Sequence, residues 1–464
     1  MKKTILSTMI CASIFSTTAM AQEYTVTGNS LISDNEVQNI IEQFGDQGIN
    51  AVAVGIYNKY KANGIINLKI NGDKATNTIE IKEIKTDIVD SEYSDYFDKT
   101  TDLNKSDVNL ASRRLIDLFE NNQVKPTFKI ANYEEDGQLK SKMTIETIEE
   151  KDKKFASGYG SISNSGSKYT SSYIVSGNVK KKLGNGYAVS VFGSKGLSEL
   201  GEASGGDIQS LGVATEKASS LGTFKLSYAV NDYTVGKEYE DFGLKGNSKD
   251  LTLSNSYFLT NDYILKTSLV HSQNYEEISA FDVNSSYDYN AITADLIYSN
   301  PEHGKAIFSI KKGFLGSEYF NYQSLHGDFN DTFQVASLDY ENTLPIGQSG
   351  FYSTVLVGGQ VSSDGTPDNQ QFSIGGFKSV NSGLYSSVKI GKTINGYKLF
   401  GGVDGSKGQA IVGDDIDVRS AFVGVNKYFD SASVYLDARY AQNIGDTVNN
   451  ISNNDLTINL TKLF

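Results

Sequence analysis

The ten residues from Asp455 to Phe464 alternate by face, with Leu456, Ile458, Leu460 and Phe464 on one side and Thr457, Asn459 and Thr461 on the other. A strand repeats every two residues, so this segment sets an apolar row against a polar one. In water an apolar row that ends on an aromatic residue lacks a cover. It is satisfied where lipid covers one face and water wets the other, as in a transmembrane barrel. Lys462 interrupts the row, so the rest of the chain has to support the reading.

The other end reads as an export signal. Lys2 and Lys3 open the chain, Thr4 to Thr18 is largely apolar, and Ala19-Met20-Ala21 is a small-x-small cleavage site. This predicts a signal peptide over 1–21. Its Cys11 is the single cysteine, so cleavage leaves no disulfide framework, thiol nucleophile or thiolate metal site. The net charge is −13, and loss of two lysines with the signal makes the mature chain more acidic still. Nucleic-acid binding needs a basic footprint and is not expected. Mean hydropathy is −0.33, and beyond residue 21 no stretch is apolar enough for a spanning helix. A membrane protein of that kind has to be a closed barrel, where every backbone group is paired between strands.

Composition agrees. Gly is 44 of 464 residues, above the usual share of about 7%. The four prolines, Pro126, Pro301, Pro345 and Pro367, are all expected between elements, because a ladder cannot lose an N–H. There is no Trp, yet 28 Tyr and 23 Phe suffice for interfacial girdles.

From about Phe155 the pattern is alternation broken by Gly, Asn, Ser and Asp turns. Phe224, Leu226, Tyr228 and Val230 alternate with Lys225, Ser227 and Ala229. Ile292, Ala294, Leu296 and Tyr298 alternate with Thr293, Asp295 and a discordant Ile297. Val434, Leu436, Ala438 and Tyr440 alternate with Tyr435, Asp437 and Arg439. Charges on one face indicate a wet lumen, and about sixteen such runs follow Phe155, an even number as this barrel class requires. A soluble β-sandwich array also fits the alternation, but not the terminal Phe464 or the unbroken length.

Before Lys154 the periodicity changes between two and 3.6. Tyr24-Thr25-Val26 reads as a strand ending at Gly28. Ser33 and Glu36 form a capping box ahead of Val37, Ile40, Ile41 and Phe44. A second helix carries Ala53, Ile56, Tyr57 and Tyr60 and stops at Asn63-Gly64. Strands Ile66–Ile70 and Thr78–Ile81 follow, joined at Asn71-Gly72-Asp73. The unit is β-α-α-β-β over 22–84. A diverged second unit over 85–151 has a helix from Ser106, with Val108, Ala111, Leu115, Leu118 and Phe119 on one side. Strands around Thr127 to Ala131 and Ser141 to Ile148 follow it, turning at Asp136-Gly137.

Tyr24-x-Val26-x-Gly28-Asn29, two helices, Tyr60-Lys61-Ala62-Asn63-Gly64 and two strands resemble a POTRA domain. Leu115 to Thr147 is similar to the second POTRA domain of two-partner-secretion outer-membrane transporters, the hemolysin secretion/activation proteins. The resemblance continues along a barrel over 155–464. Asn164-Ser165-Gly166-Ser167 resembles the turn after the first strand, with Ser163 in place of its Asp. Phe372-Ser373-Ile374-Gly375-Gly376 resembles the start of the long extracellular loop that folds back into the barrel. Val403-Asp404-Gly405 resembles the wall motif whose inward Asp meets an arginine at that loop's tip, and Ser420 to Gly424 fits the strand after it.

Two features depart from the pattern. The loop tip, usually Val-Arg-Gly-aromatic, reads Val380-Asn381-Ser382-Gly383, so the arginine expected to meet Asp404 is absent from it. Lys378 is within reach of that carboxylate, but as a point charge without the bidentate fork of arginine. Asp404 without that arginine reads equally as a solvated lumen carboxylate. The family also carries a plug helix before the first POTRA domain, whereas here Tyr24 follows the expected cleavage site by three residues. Gating is therefore expected to differ.

No chemistry-bearing constellation stands out. His271, His303 and His326 are scattered, and no phosphate-binding loop or nucleophile elbow is present in the sequence. The resemblance implies a non-enzymatic transporter without cofactors in the outer membrane of a Gram-negative bacterium. Its POTRA domains would meet an unfolded exoprotein in the periplasm, where the strand edge with Ile66, Leu68 and Ile70 offers backbone pairing. Its partners would be that cargo, outer-membrane lipid, and the barrel-assembly machinery and periplasmic chaperones during biogenesis. An outer-membrane assembly factor and a passive channel with a periplasmic adaptor are the alternative readings.

Overall fold

The computed structural model describes residues 24–29, 32–89, 92–150, 156–164, 169–197, 206–320, 332–347, 349–363, 366–367, 370–374, 378–380, 382–409, 416–444 and 454–464. The expected signal segment 1–21 and the turn residues Ser165, Gly166 and Ser167 lie outside them. The chain divides into two compact units, residues 1–109 with 128–146 and residues 110–127 with 147–464.

In the first unit, β1 (Thr25–Thr27), α1 (Asp34–Phe44), α2 (Ile49–Ala62), β2 (Leu68–Asp73) and β3 (Thr78–Glu83) follow in order. The sheet order is β1-β3-β2, with β1 parallel and β2 antiparallel to β3. Ser33 caps α1 and Glu36 reaches back to the Ser33 backbone, the capping box expected from sequence. Such a cap is worth about 0.5–2 kcal/mol. Val37, Ile40, Val52, Ile56, Tyr60, Leu68, Ile79 and Ile81 form one core. The Tyr60 hydroxyl is satisfied there by Asn29 Oδ1 at 2.6 Å.

A second small sheet has β4 (Thr86–Ile88), β5 (Val124–Glu135) and β6 (Gln138–Glu149) in the order β4-β6-β5, with β4 parallel to β6. The order repeats that of the first sheet. Asp136 and Gly137 take φ of 51° and 74° between β5 and β6, the left-handed pair that closes a two-residue hairpin. The helix α3 spans Lys105–Asn122.

The remaining strands close into a barrel. β7 (Ser157–Ser163), β8 (Ile174–Gly184), β9 (Tyr187–Gly196), β10 (Asp207–Ser219) and β11 (Gly222–Thr234) run antiparallel in sequence order. β12 (Leu244–Phe258), β13 (Tyr263–Ile278), β14 (Val283–Asn300), β15 (Gly304–Phe320), β16 (Thr332–Ile346) and β17 (Phe351–Ser362) continue it. A hairpin of β18 (Phe372–Ile374) and β19 (Lys378–Val380) precedes β20 (Ser382–Ile394), β21 (Tyr397–Gln409), β22 (Ile416–Phe429), β23 (Val434–Asn443) and β24 (Asn454–Leu463). The hairpin stands apart, and the other strands from β7 onward make a closed barrel of sixteen in the described residues.

Closure joins β24 to β7, from Asn459↔Ser163 to Leu463↔Tyr159. Gly158 and Phe464 extend the seam with reciprocal backbone hydrogen bonds of 3.0 and 3.1 Å. A Cβ on Gly158 would lie 2.1 Å from Asn178 O, so only glycine fits there. At the far end Asn164 does with its side chain what backbone does elsewhere. Its Oδ1 accepts from Ile458 N at 2.6 Å and its Nδ2 donates to Leu456 O.

Outward positions carry the apolar rows. Leu211, Leu226, Leu269, Ile292, Ile310, Val403 and Leu456 are all exposed. Tyr187, Tyr263, Phe351 and Tyr397 ring the end of the short turns, and Phe242 stacks on Phe281 at the other end with centroids 5.7 Å apart. Among the described residues no helix is long and apolar enough to cross a membrane. The barrel crosses it with strands, and it is a transmembrane all-β fold.

Several sequence expectations need correction. Asn71-Gly72-Asp73 is ladder, not turn: it pairs with Glu80, Ile79 and Thr78, and the chain turns at residues 74–77. Ile66 accordingly precedes the strand, which starts at Leu68. In α2 the buried stripe is Ile49, Val52, Ile56 and Tyr60, while Tyr57 is exposed under Lys61. Pro126 and Pro345 lie inside β5 and β16. Both positions tolerate the missing N–H: β5 is an edge strand, and β16 pairs with β15 only as far as Glu341.

Candidate functional site

Alternation turns every second side chain of the barrel inward, and those positions are tied together by polar contacts between neighbouring strands. Ser272 donates to Asp250 at 2.6 Å and Ser309 to Asp295 at 2.6 Å. Asn231 bonds Asp250 at 3.1 Å, and Lys180 pairs with Glu216. Each carboxylate is thereby hydrogen-bonded within the wall, which lowers the cost of holding charge away from bulk water.

Asp404 of β21 sits in a cluster that includes an arginine. Its carboxylate accepts from Ser420 Oγ on β22 and from the guanidinium of Arg439 on β23. Arg439 crosses β22 to make this contact, and its guanidinium lies 4.0 Å from the Phe422 ring centroid. Phe422 meets Phe400 edge-on, with centroids 6.2 Å apart. Gly424 makes room for this: a Cβ there would lie 2.3 Å from the Phe400 ring. A recess of about 290 Å³ opens beside the pair, lined by Tyr385, Ser387, Asp404 and Arg439. The inward face of Asp404, opposite exposed Val403 and Leu399, is the one that alternation predicts.

Sequence alone does not mark Arg439 as the partner of Asp404. Arg439 lies on the wet face of its strand, but its reach to Asp404 depends on a register two strands away. The loop positions expected to face Asp404 are described only in part. Lys378 and Val380 belong to the β19 backbone, while Gly375, Gly376 and Asn381 lie outside the described residues.

The segment carrying the hairpin is nonetheless anchored. Gln370 donates to Tyr289 Oη on β14 at 2.8 Å and accepts from Lys311 Nζ on β15 at 2.5 Å. Both partners are inward positions of their strands. Gln360 Nε2 of β17 holds the Gln370 carbonyl at 2.9 Å. β18 then lies against β17, β20 and β21. Gln370, between β17 and β20, therefore lies on the inward side of the wall.

The C-terminal half of α3 seats on three successive short turns of the barrel. Asn121, fully buried, donates to Gly186 O at 3.1 Å and to Glu216 at 3.0 Å. Asn122 Oδ1 accepts from Gly186 N at 2.7 Å. Asp117 accepts from Thr223 at 2.6 Å, and Arg114 donates to Phe258 O at 3.0 Å while its guanidinium covers the Tyr257 ring. Gly186, at φ 77°, leaves space that Leu118 fills. Burial of Arg114 and Asn121 gave no signal in sequence, because polar residues on a helix read as its solvent face.

Among the described residues β2 of the first unit is an edge strand, with β3 as its sheet partner. Leu68 is buried and Ile70 packs against the core, so their side chains hold the sheet.

A transmembrane barrel preceded by two small α/β units that fit POTRA domains defines the class. No protein-family model and no curated protein matches the chain. Among solved structures it is similar to CdiB from Escherichia coli, with a TM-score of 0.63 at 15% identity over 97% of this chain and 93% of that one. CdiB from Acinetobacter baumannii gives 0.56 at 14%, over 95% and 89%. BamA from Haemophilus ducreyi lacking POTRA domains 1-3 gives 0.55 at 11%, over 95% and 99%. At these identities the likeness concerns the fold. The architecture, barrel and small α/β units together, is the one that the CdiB structures share.

Proposed function

We propose that this protein is an outer-membrane transporter of a Gram-negative bacterium that moves an unfolded exoprotein from the periplasm to the cell surface. One observation carries the reading: the chain matches CdiB along nearly its whole length, POTRA-type sheets and closed barrel together. The signal peptide at 1–21 directs export, and the units over 22–84 and 85–151 stand in the periplasm. The cargo adds a strand at the free edge of β2 through backbone bonds, a mode that tolerates sequence. The polar inward wall of the barrel at 155–464 then passes it in extended form. No bond is made or broken and no nucleotide is used, so folding of the cargo outside supplies the drive.

The loop after β17 is the gate, with Gly375 and Gly376 near its start, Lys378 following them, Val380 and Asn381 at its tip, and Asp404 as the wall residue behind it. Gln370 holds the base of that loop. Outer-membrane lipid surrounds the barrel, and the barrel-assembly machinery and periplasmic chaperones insert it. The likeness to BamA supports a second reading, an assembly factor that inserts other barrels.

Culture supernatants and surface fractions of a parent and a deletion strain, compared by mass spectrometry, separate these. Loss of one large exported protein, restored by the full gene but not by one lacking residues 24–150, supports the transporter. A general fall in outer-membrane barrels supports the assembly factor. An unchanged surface proteome with altered solute permeability overturns both.

A further inference from the structure

The outward face of the barrel is not uniform. Leu338, Gly359, Leu384 and Lys407 stand in one cross-strand row on β16, β17, β20 and β21. Strands lie about 4.7–4.9 Å apart, so the two leucines flank a side-chain-free position over roughly 10 Å. Val357 and Val361 bound Gly359 along its own strand, and the positions beside Val361 are the small Ala336 and Ser382. The result is an apolar groove of about 740 Å³ with Phe308 at one side and Lys407 at the other. That is the size range of small-molecule sites, roughly 300–1,000 Å³.

The groove lies toward the end of the barrel with the longer connections, such as residues 363–381 between β17 and β20. Barrels of this kind face that end outward and keep their short turns, here Asn395-Gly396 and its equivalents, in the periplasm. Charge collects at the same rim. Lys407 pairs in register with Asp417, which Arg419 holds bidentately at 2.8 and 3.1 Å. Two cations and one anion thus border an apolar trough at outer-leaflet depth.

We infer that this groove binds one acyl chain of a phosphorylated, multiply acylated glycolipid of the lipid A type, with its phosphate on Lys407 and Arg419 beside it. The chain fills the trough over Gly359, where neighbouring lipid would otherwise leave a void. The binding rests on the orientation of the barrel and is independent of what the barrel transports.

Native mass spectrometry of the full-length protein, stripped of lipid in detergent and then given Kdo2-lipid A or phosphatidylglycerol, tests this. One retained lipid A per barrel is expected. Retention falls about fivefold in Lys407→Glu, the weight of one basic side chain against an anionic lipid. It falls in Ala336→Phe, which fills the groove, and persists in Lys407→Arg. Heat-dependent gel mobility reports folding of each variant, and if Ala336→Phe fails to fold, the two Lys407 variants decide. Equal retention in Lys407→Glu and the parent, no retained lipid A, or phosphatidylglycerol held as firmly as lipid A each overturns the inference.

Discussion

The carboxylate of Asp404 is bound by the guanidinium of Arg439, which reaches it across the whole of β22. The wall therefore supplies a cation to this carboxylate from two strands away. Since the two side chains are 26% and 38% exposed, the pair is neither a free surface bridge nor a fully buried one. Loss of Arg439 leaves a half-buried carboxylate on Ser420 alone. Arg439→Ala should therefore destabilise the barrel by about 1–2 kcal/mol, below the cost of breaking a fully buried pair. Asp404→Ala/Arg439→Ala should recover much of that loss, and urea unfolding in detergent measures both.

Gln370 ties the segment between β17 and β20 to Tyr289 and Lys311. Gln370→Ala removes both side-chain bonds while leaving its backbone bond to Gln360. Planar-bilayer conductance should rise and fluctuate more than in the parent, with heat-dependent gel mobility unchanged. Equal conductance would show that the anchor does not hold the gate.

Asn121 is fully buried and bonded to Gly186 and Glu216. Asn121→Leu removes both bonds but leaves Gly186 O to Ala218 N and Glu216 to Lys180, at a cost of about 1 kcal/mol. Hydrogen exchange at residues 115–122 should speed up accordingly, while the strands far from this seat keep their protection.

Glu36 has its pKa lowered to about 2 by the Lys59 ammonium, 2.6 Å away, and by hydrogen bonds from Ser33. A depressed carboxylate stabilises the fold above its unfolded value of 4.5 and loses that contribution as pH falls toward 2. Protection of the first turn of α1 should hold at pH 5 and decline between pH 4 and about 2. Glu36→Gln should flatten this response, because the amide still reaches back to Ser33 but does not titrate.

Gly158 and Phe464 bond reciprocally where the seam begins. Gly158→Val sets a side chain against Asn178 O, so the variant should accumulate unclosed barrel, visible as loss of the heat-dependent gel shift.

Periodicity determined a good part of this protein without any structure. Alternation from Leu226 to Leu460 specified an outward apolar face and an inward polar one, because a strand has only two faces and lipid accepts only one kind. Ser33 and Glu36 fixed the start of α1, since capping is a local matter of three residues. Asp136-Gly137 likewise fixed a hairpin through its own backbone preference. The even strand number followed from counting.

Tertiary structure decided what depends on register and contact across the sheet. The start of β2 slipped from Ile66 to Leu68 because pairing with β3, not the Asn-Gly signal, set the turn. Asp404 found Arg439 only once three strands lay side by side, and Gly359 became the floor of a groove only between Leu338 and Leu384. Asn121, outside the apolar side of α3 that the sequence marks, is buried by the short turns of the barrel. A sequence records the period of each strand, but which residues stand opposite one another is settled by hydrogen bonds between segments far apart in the chain.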